Sequence, residues 1–348
     1  MRLAFLTSTP LSPFLGSGTF AGICGLAEGV RQLGHEVEIL APNFPCFHYT
    51  TRRLIYNRLL PDRIEAAHPD VVVGFDMDGY LYAERRRRAP FVASIKGVIA
   101  DELTNERGST RWLMWIQSKC EVRNVRAADR VLATSQYSAG KIVEHYGIDR
   151  ARLAIVPELI DLDGWRARFA AHPAPQPERF TVLSVCRFYR RKRLEDLIGA
   201  AAKLPDVEVR IVGNGPEAPK LHRLGPHITW VGDATEAQLA EEYNRCHVFC
   251  LPSVQEGFGI VFLEAMAAGK PVVAARTAAV PEVVRDGVDG FLVAPRNPEE
   301  LASALARLRD EPSRRARLAA GATARVEGFR RDHVCRMFLQ QIDTVMRP

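Results

Sequence analysis

Along this chain short apolar runs, many of them β-branched, alternate with longer amphipathic stretches. In the first half the runs at 3–6, 37–40, 71–73, 91–95, 131–133 and 153–156 read as strands, and 18–33 reads as a helix stopped at Gly34. Runs that are apolar throughout, with helices between them, predict a parallel sheet covered on both faces. The rhythm breaks at 163–180, DGWRARFAAHPAPQPERF, where His-Pro-Ala-Pro-Gln-Pro cannot continue a helix and reads as an extended linker. It then resumes, with strands expected at 181–185, 207–212, 228–231, 247–251, 271–274 and 290–293. The fold class that follows is α/β, with two parallel-sheet domains facing across a cleft: 1–165 and 180–328, joined by a linker at 166–179. Ligands of such sheets lie beyond the carboxyl ends of the strands, so function is to be sought in the loops that follow them.

Length agrees with two domains, since 348 residues is long for one core. A hydrophobic share of 47% and a charged share of 25% argue against disorder. No apolar run is long enough for a membrane-spanning helix. The start, MRLAFLTSTPLSPF, reads better as a buried first strand than as a signal peptide. Seven cysteines are scattered singly, which points to reduced thiols in a cytoplasm and not to disulfides or zinc. The net charge is +6, and residues 1–170 hold 22 Lys+Arg against 19 Asp+Glu, half of that excess. No half is therefore a basic module, and nucleic acid is not an expected partner. The run Arg85-Arg86-Arg87-Arg88 reads either as a solvated helix end or as a surface for an acidic partner.

Several segments carry candidate chemistry. GSGTFAG at 16–22 fits the glycine pattern of a dinucleotide turn but sits well beyond its strand, so a flexible loop at Gly16 and Gly18, approaching a ligand before a helix start, is expected instead. Asp76-Met77-Asp78 resembles an Asp-x-Asp metal motif, yet no ligand-rich stretch accompanies it; a structural or acceptor-side role is expected and no metal. SVCRFYRRKRLEDLI places Arg187 just after a strand and Lys192 where a helix begins, a junction that can hold phosphates. Arg190, Arg191 and Arg193 fit a solvent-facing helix start. IVGNGPE at 211–217 reads as scaffold. In EGFGIVFLE, 256–264, Gly257 and Gly259 let backbone approach a ligand, and the first helical amides are free for an anion. Carboxylates accept hydrogen bonds from hydroxyls, so Glu256 and Glu264 on either side suit a nucleotide sugar, while a loop acid and a surface helix acid remain the alternative.

These segments, in this order, resemble the retaining glycosyltransferases of family 4, which have the B-type fold (GT-B) of two Rossmann-like domains. The resemblance covers nearly the whole chain and is strongest at 252–295, where the family's E-x7-E motif aligns with Glu256 and Glu264; 133–149 and 187–198 match as well. It implies that Arg187 and Lys192 neutralise the donor diphosphate and that Glu256 contacts the donor sugar. Glu264 would bind the ribose. Amides around Gly259, Ile260 and Val261 would hold phosphate, Gly257 and Phe258 would belong to the same donor site, and Val231 would lie beside the base. It also implies a closing loop at Gly16 and Gly18 and a last helix, 329–348, returning to the first domain. Three departures stand out: Lys96-Gly97 for the usual His-Gly or His-Asp, Glu158-Leu159-Ile160-Asp161 for Asn-Gly-Val-Asp, and Ala278-Ala279 for Gly-Gly. A partner for the Lys96 ammonium is expected in Asp101, Glu102, a donor phosphate or a substrate carboxylate, with Lys96 and Gly97 on the sugar and acceptor side.

The expected protein is thus a cytoplasmic, metal-independent retaining hexosyltransferase without a cofactor, moving sugar from a UDP- or GDP-sugar to an acceptor hydroxyl. The acceptor would be a glycan, a lipid-linked sugar or a small molecule, in glycan, glycolipid or natural-product glycoside synthesis, and a peripheral membrane contact goes with a lipid-linked one. A nucleotide-sugar epimerase of similar fold, a non-catalytic nucleotide-sugar binder and a nicotinamide oxidoreductase are the alternatives.

Overall fold

The computed structural model describes residues 1–10, 13–44, 48–175 and 177–346. Among the described residues twelve strands form two six-stranded sheets in which every pairing is parallel. The first sheet comprises β1 (Arg2–Leu6), β2 (Glu36–Leu40), β3 (Val71–Phe75), β4 (Phe91–Ile95), β5 (Arg130–Ala133) and β6 (Leu153–Ile155). The second comprises β7 (Phe180–Val185), β8 (Val207–Val212), β9 (Thr229–Gly232), β10 (Val248–Leu251), β11 (Val272–Ala275) and β12 (Gly290–Val293). Each expected strand is present, because a strand buried on both faces must be apolar at every position and so declares itself locally. β3 and β4 are buried at all five positions each, and β10 at all four.

Strand order fixes where ligands can bind. The first sheet runs β2-β1-β3-β4-β5-β6 and the second β12-β11-β10-β7-β8-β9. In each, the direction of winding reverses once, between β1 and β3 and between β7 and β10. At such a reversal the loops leaving two neighbouring strands diverge and open a crevice.

Two compact units contain these sheets: Met1–Leu159 with Arg331–Pro348, and Ile160–Arg330. Each sheet has an apolar cluster on either face. The final helix, Arg331–Met346, belongs to the first unit, where Val334, Cys335, Phe338 and Ile342 join the cluster that includes Phe5. A Cβ at Gly29 would collide with Cys335 Sγ, so glycine is what lets the Pro13–Gln32 helix lie this close to it.

Two expectations differ from the structure here. The segment at 166–179 is not extended throughout: a helix covers Leu162–Ala171, capped by the Asp161 side chain on the Gly164 amide, and stops only before His172-Pro173. That segment lies inside the second unit, and the units divide earlier, at Leu159–Ile160. Gly16 and Gly18 lie within the Pro13–Gln32 helix, not in a loop before it. A proline is preset for the first helical position, and two glycines cost about 1 kcal/mol each without breaking a helix of this length.

Candidate functional site

The reversal between β7 and β10 gathers most of the expected residues. β7 leads into Cys186–Arg187–Phe188, and β10 into the 252–259 loop and the Ile260–Ala267 helix. The loop after β7 is held by the turn after β8. Cys186 N donates to Val212 O (3.1 Å), Phe188 N to Asn214 O (2.9 Å), and Glu217 N to Phe188 O (3.0 Å). Gly213, at φ +119°, has no room for a side chain, since a Cβ would strike the Cys186 carbonyl; one on Gly215 would press into the Phe188 backbone. The GNGP turn is therefore a clamp on the backbone either side of Arg187, whose side chain is half-buried.

Lys192 lies in a 3-10 turn, Arg190–Lys192, one residue short of the Leu194–Ala201 helix it was expected to begin. Arg193 intervenes at φ +53°. Nor are the neighbouring arginines solvent-facing. Arg193 binds Asp196 and Glu195, and the Arg191 guanidinium covers the Tyr189 ring at 4.8 Å. The Arg191 carbonyl accepts from Val254 N (2.9 Å), tying the loop after β7 to the loop after β10. Across this junction Lys192 Nζ meets Glu256 Oε1 at 2.6 Å, with side chains 15% and 9% exposed. Glu256 is propped from behind, as Ala279 N donates to its carbonyl (3.3 Å). The preceding Ala278 stands at φ +51°, in the region where the family pattern has glycine.

Gly259 caps the Ile260–Ala267 helix at φ +94°, a conformation natural to glycine, and it brings no side chain to cover the helical amides that follow. One turn on, Glu264 is buried and accepts from Tyr243 Oη (2.8 Å). Burial raises its pKa to about 7, against the lowering effects of the Tyr243 bond and Arg168. It is a buried acid, not the surface helix acid of the alternative reading. Gly257 and Phe258 are buried, and Val231 and Val261 are half-buried against the cluster that contains Phe258 and Tyr243.

In the first unit, the reversal between β1 and β3 is closed by polar bonds. Asp78 accepts from the Ser8 amide (2.6 Å) and hydroxyl and from Asn57 Nδ2 (2.9 Å), with Arg53 at 3.6 Å. Asp76, at φ +53°, accepts from the Lys96 amide (2.9 Å), and burial lifts its pKa to about 6. The two carboxylates thus serve different bonds. Among the described residues no cluster of three or more His, Cys, Asp or Glu is arranged to hold a metal ion.

Lys96 follows β4, and its ammonium lies 3.0 Å from Glu158, with side chains 10% and 5% exposed. The expected partners Asp101 and Glu102 are not the ones it takes. Tyr137 Oη bonds Asp101 instead (2.7 Å), and Glu102 lies against Gly97, where a Cβ would collide with it. Two departures from the family pattern, Lys96 and Glu158, are therefore one ion pair. The structure brings together Arg187, Lys192, Glu256, 257–261, Glu264 and Val231 in the second unit, and leaves Gly16, Gly18, Lys96 and Gly97 in the first. Sequence reasoning missed Tyr243 and the pairing of Glu158 with Lys96, and it read 211–217 as scaffold without the contacts to 186–188 that make it a clamp; the local signal there was two glycines around an asparagine.

Comparison with known proteins divides the chain in the same way. The profile of Glycosyltransferase Family 4 matches residues 17–163, and that of Glycosyl transferases group 1 matches 166–325. The D-inositol 3-phosphate glycosyltransferase of Streptomyces bingchenggensis is 34% identical over 233 residues, 60% of this chain and 51% of that protein. The one from Kribbella flavida is 32% identical over 232 residues, 60% and 55% of the two chains. The chain spans about half the length of the curated relatives it matches. Among solved structures, sucrose-phosphate synthase from Thermosynechococcus elongatus has a TM-score of 0.82 at 20% identity, covering 99% and 98% of the chains. HepE from Anabaena, solved with UDP and glucose, has 0.77 at 21%, covering 99% and 100%. At these identities the likeness speaks of fold alone.

Proposed function

The chain belongs to the glycosyltransferases of family 4 and has their GT-B fold, and from that premise we propose that it moves a sugar from a nucleoside-diphosphate sugar to an acceptor hydroxyl with retained anomeric configuration. The observation that carries this reading is the Lys192–Glu256 pair, standing beside the glycine-capped start of the Ile260–Ala267 helix. A cation and exposed helical amides suit a diphosphate, and a carboxylate beside them suits sugar hydroxyls. An ammonium has three N–H donors, so Lys192 can keep Glu256 while donating to a phosphate oxygen.

In this reading Arg187 and Lys192 take the charge that develops on the departing diphosphate, and the amides at 259–261 support it. Glu256 orients the donor sugar, Glu264 accepts from the ribose hydroxyls, and Val231 flanks the base. The bond from the anomeric carbon to phosphate breaks as the bond to the acceptor oxygen forms on the same face. The acceptor's proton passes to the leaving phosphate oxygen. Catalysis is then mainly leaving-group electrostatics and positioning, with no side-chain nucleophile and no metal.

UDP and GDP are the donor bases to try first. The D-inositol 3-phosphate glycosyltransferases make a phosphorylated cyclitol the first acceptor to test beside glycans and lipid-linked sugars. A thermal-shift screen of nucleotides and nucleotide sugars, followed by NMR of the anomeric proton in the product, tests the proposal. Stabilisation by one nucleoside diphosphate and a product with the donor's configuration are expected. Indifference to every nucleotide, or an inverted product, overturns it.

A further inference from the structure

The helix Gly108–Ala127 in the first unit presents a face that the donor site does not explain. Its inward stripe is Gln117, Cys120, Glu121 and Asn124, all buried. Its outward stripe follows at helical spacing: Trp112 and Trp115, 60% and 49% exposed, and then Lys119, whose ammonium lies 5.4 Å from the Trp115 ring. Arg107 and Arg111 flank this stripe and are exposed as well. The helix has a single carboxylate, Glu121, and it points inward, so nothing negative from the helix reaches that face.

The four-arginine run falls against the same helix. Arg123 of the helix binds Glu84 (2.8 Å), and Arg87 donates to the Ala127 carbonyl at the helix end (3.2 Å) while pairing with Asp129. Arg85, Arg86 and Arg88 stay exposed. The exposed carboxylates Glu84 and Asp129 are each paired with an arginine, so two indoles among an excess of cations suit a partner that is both apolar and anionic. Leu113, Met114 and Ile116, beside the indoles in sequence, are half-exposed and add apolar surface to the helix.

We infer that this face docks the protein on an anionic phospholipid bilayer, Trp112 and Trp115 entering the headgroup boundary and Arg107, Arg111 and Lys119, with Arg85, Arg86 and Arg88, engaging lipid phosphates. Indoles settle at that depth because they are apolar with one N–H donor, and each basic residue near the surface adds electrostatic attraction. Among the described residues no helix is long and apolar enough to cross a membrane, and this mode of attachment needs none.

Co-sedimentation of the full chain with phosphatidylcholine vesicles, with and without phosphatidylglycerol, tests the inference. Binding is expected only with the anionic lipid and should fall as salt screens it. Trp112→Ser with Trp115→Ser should lower partitioning at least about tenfold at an unchanged melting temperature, since both side chains are exposed. Arg111→Gln and Lys119→Gln should each lower it about fivefold. Equal binding to neutral vesicles, full binding by the double indole variant, or retention on nucleic acid in place of vesicles overturns the inference.

Discussion

Lys96 and Glu158 stand 62 residues apart in sequence and meet in a pocket that hides both charges. Removing one member of such a pair strands the other, at a cost of about 3–5 kcal/mol, while replacing both with apolar groups is close to neutral. Lys96→Met is therefore expected to melt well below wild type, and adding Glu158→Leu should restore most of the loss. If Lys96→Met alone keeps its melting temperature and loses turnover, the ammonium serves substrate instead. Glu264 carries a second residue-scale prediction. Burial raises its pKa to about 7 from 4.5, so the folded state holds the proton more tightly than the unfolded chain. Stability from this group is fully present below the unfolded value and is lost as pH rises through about 7. The loss is at most about 3 kcal/mol. Denaturant melts between about pH 5 and pH 8 should show a decline in wild type that Glu264→Gln lacks. Parallel profiles for the two proteins would show that Glu264 does not titrate there.

At the scale of elements, the clamp at 213–215 joins sequence to site. Gly213→Ala must push the Cys186 carbonyl aside and hold alanine at φ +119°. A loss of about 2–3 kcal/mol in denaturant stability is expected, with lowered turnover as Arg187 shifts. Wild-type turnover in that variant would separate the turn from the site. The twelve strands were legible because two-sided burial writes itself into every position of a run, as in β3 and β4. The glycine-bearing segment between Glu256 and Glu264 was legible because backbone approach and helix capping need glycine locally. What was not legible depended on distant chain. Nothing near Glu264 announces Tyr243, 21 residues away, and nothing near Lys96 announces Glu158. The start of the first helix was misplaced because glycines were weighed above Pro13, and the linker because prolines at its end hid a capped helix at its beginning.

The molecule as a whole consists of two units, each with its own sheet and its own clusters on both faces, and the chain passes between them at Leu159–Ile160 and again at Arg330–Arg331. The donor-binding reading rests on residues of the second unit alone. Its central claim is that Arg187 and Lys192, and no metal, stabilise the departing diphosphate. Lys192→Ala also strands Glu256 and should melt lower for that reason, so rates belong below the onset of unfolding. The most direct measurement is kcat/KM for Arg187→Ala and Lys192→Ala, taken in EDTA with the donor that the nucleotide screen selects. Each variant should lose about 2–4 kcal/mol of transition-state stabilisation, or about 30- to 1,000-fold, while the wild type keeps its activity in the chelator. Near-wild-type rates in both variants, or a wild type silenced by EDTA and rescued by magnesium or manganese, would contradict the claim.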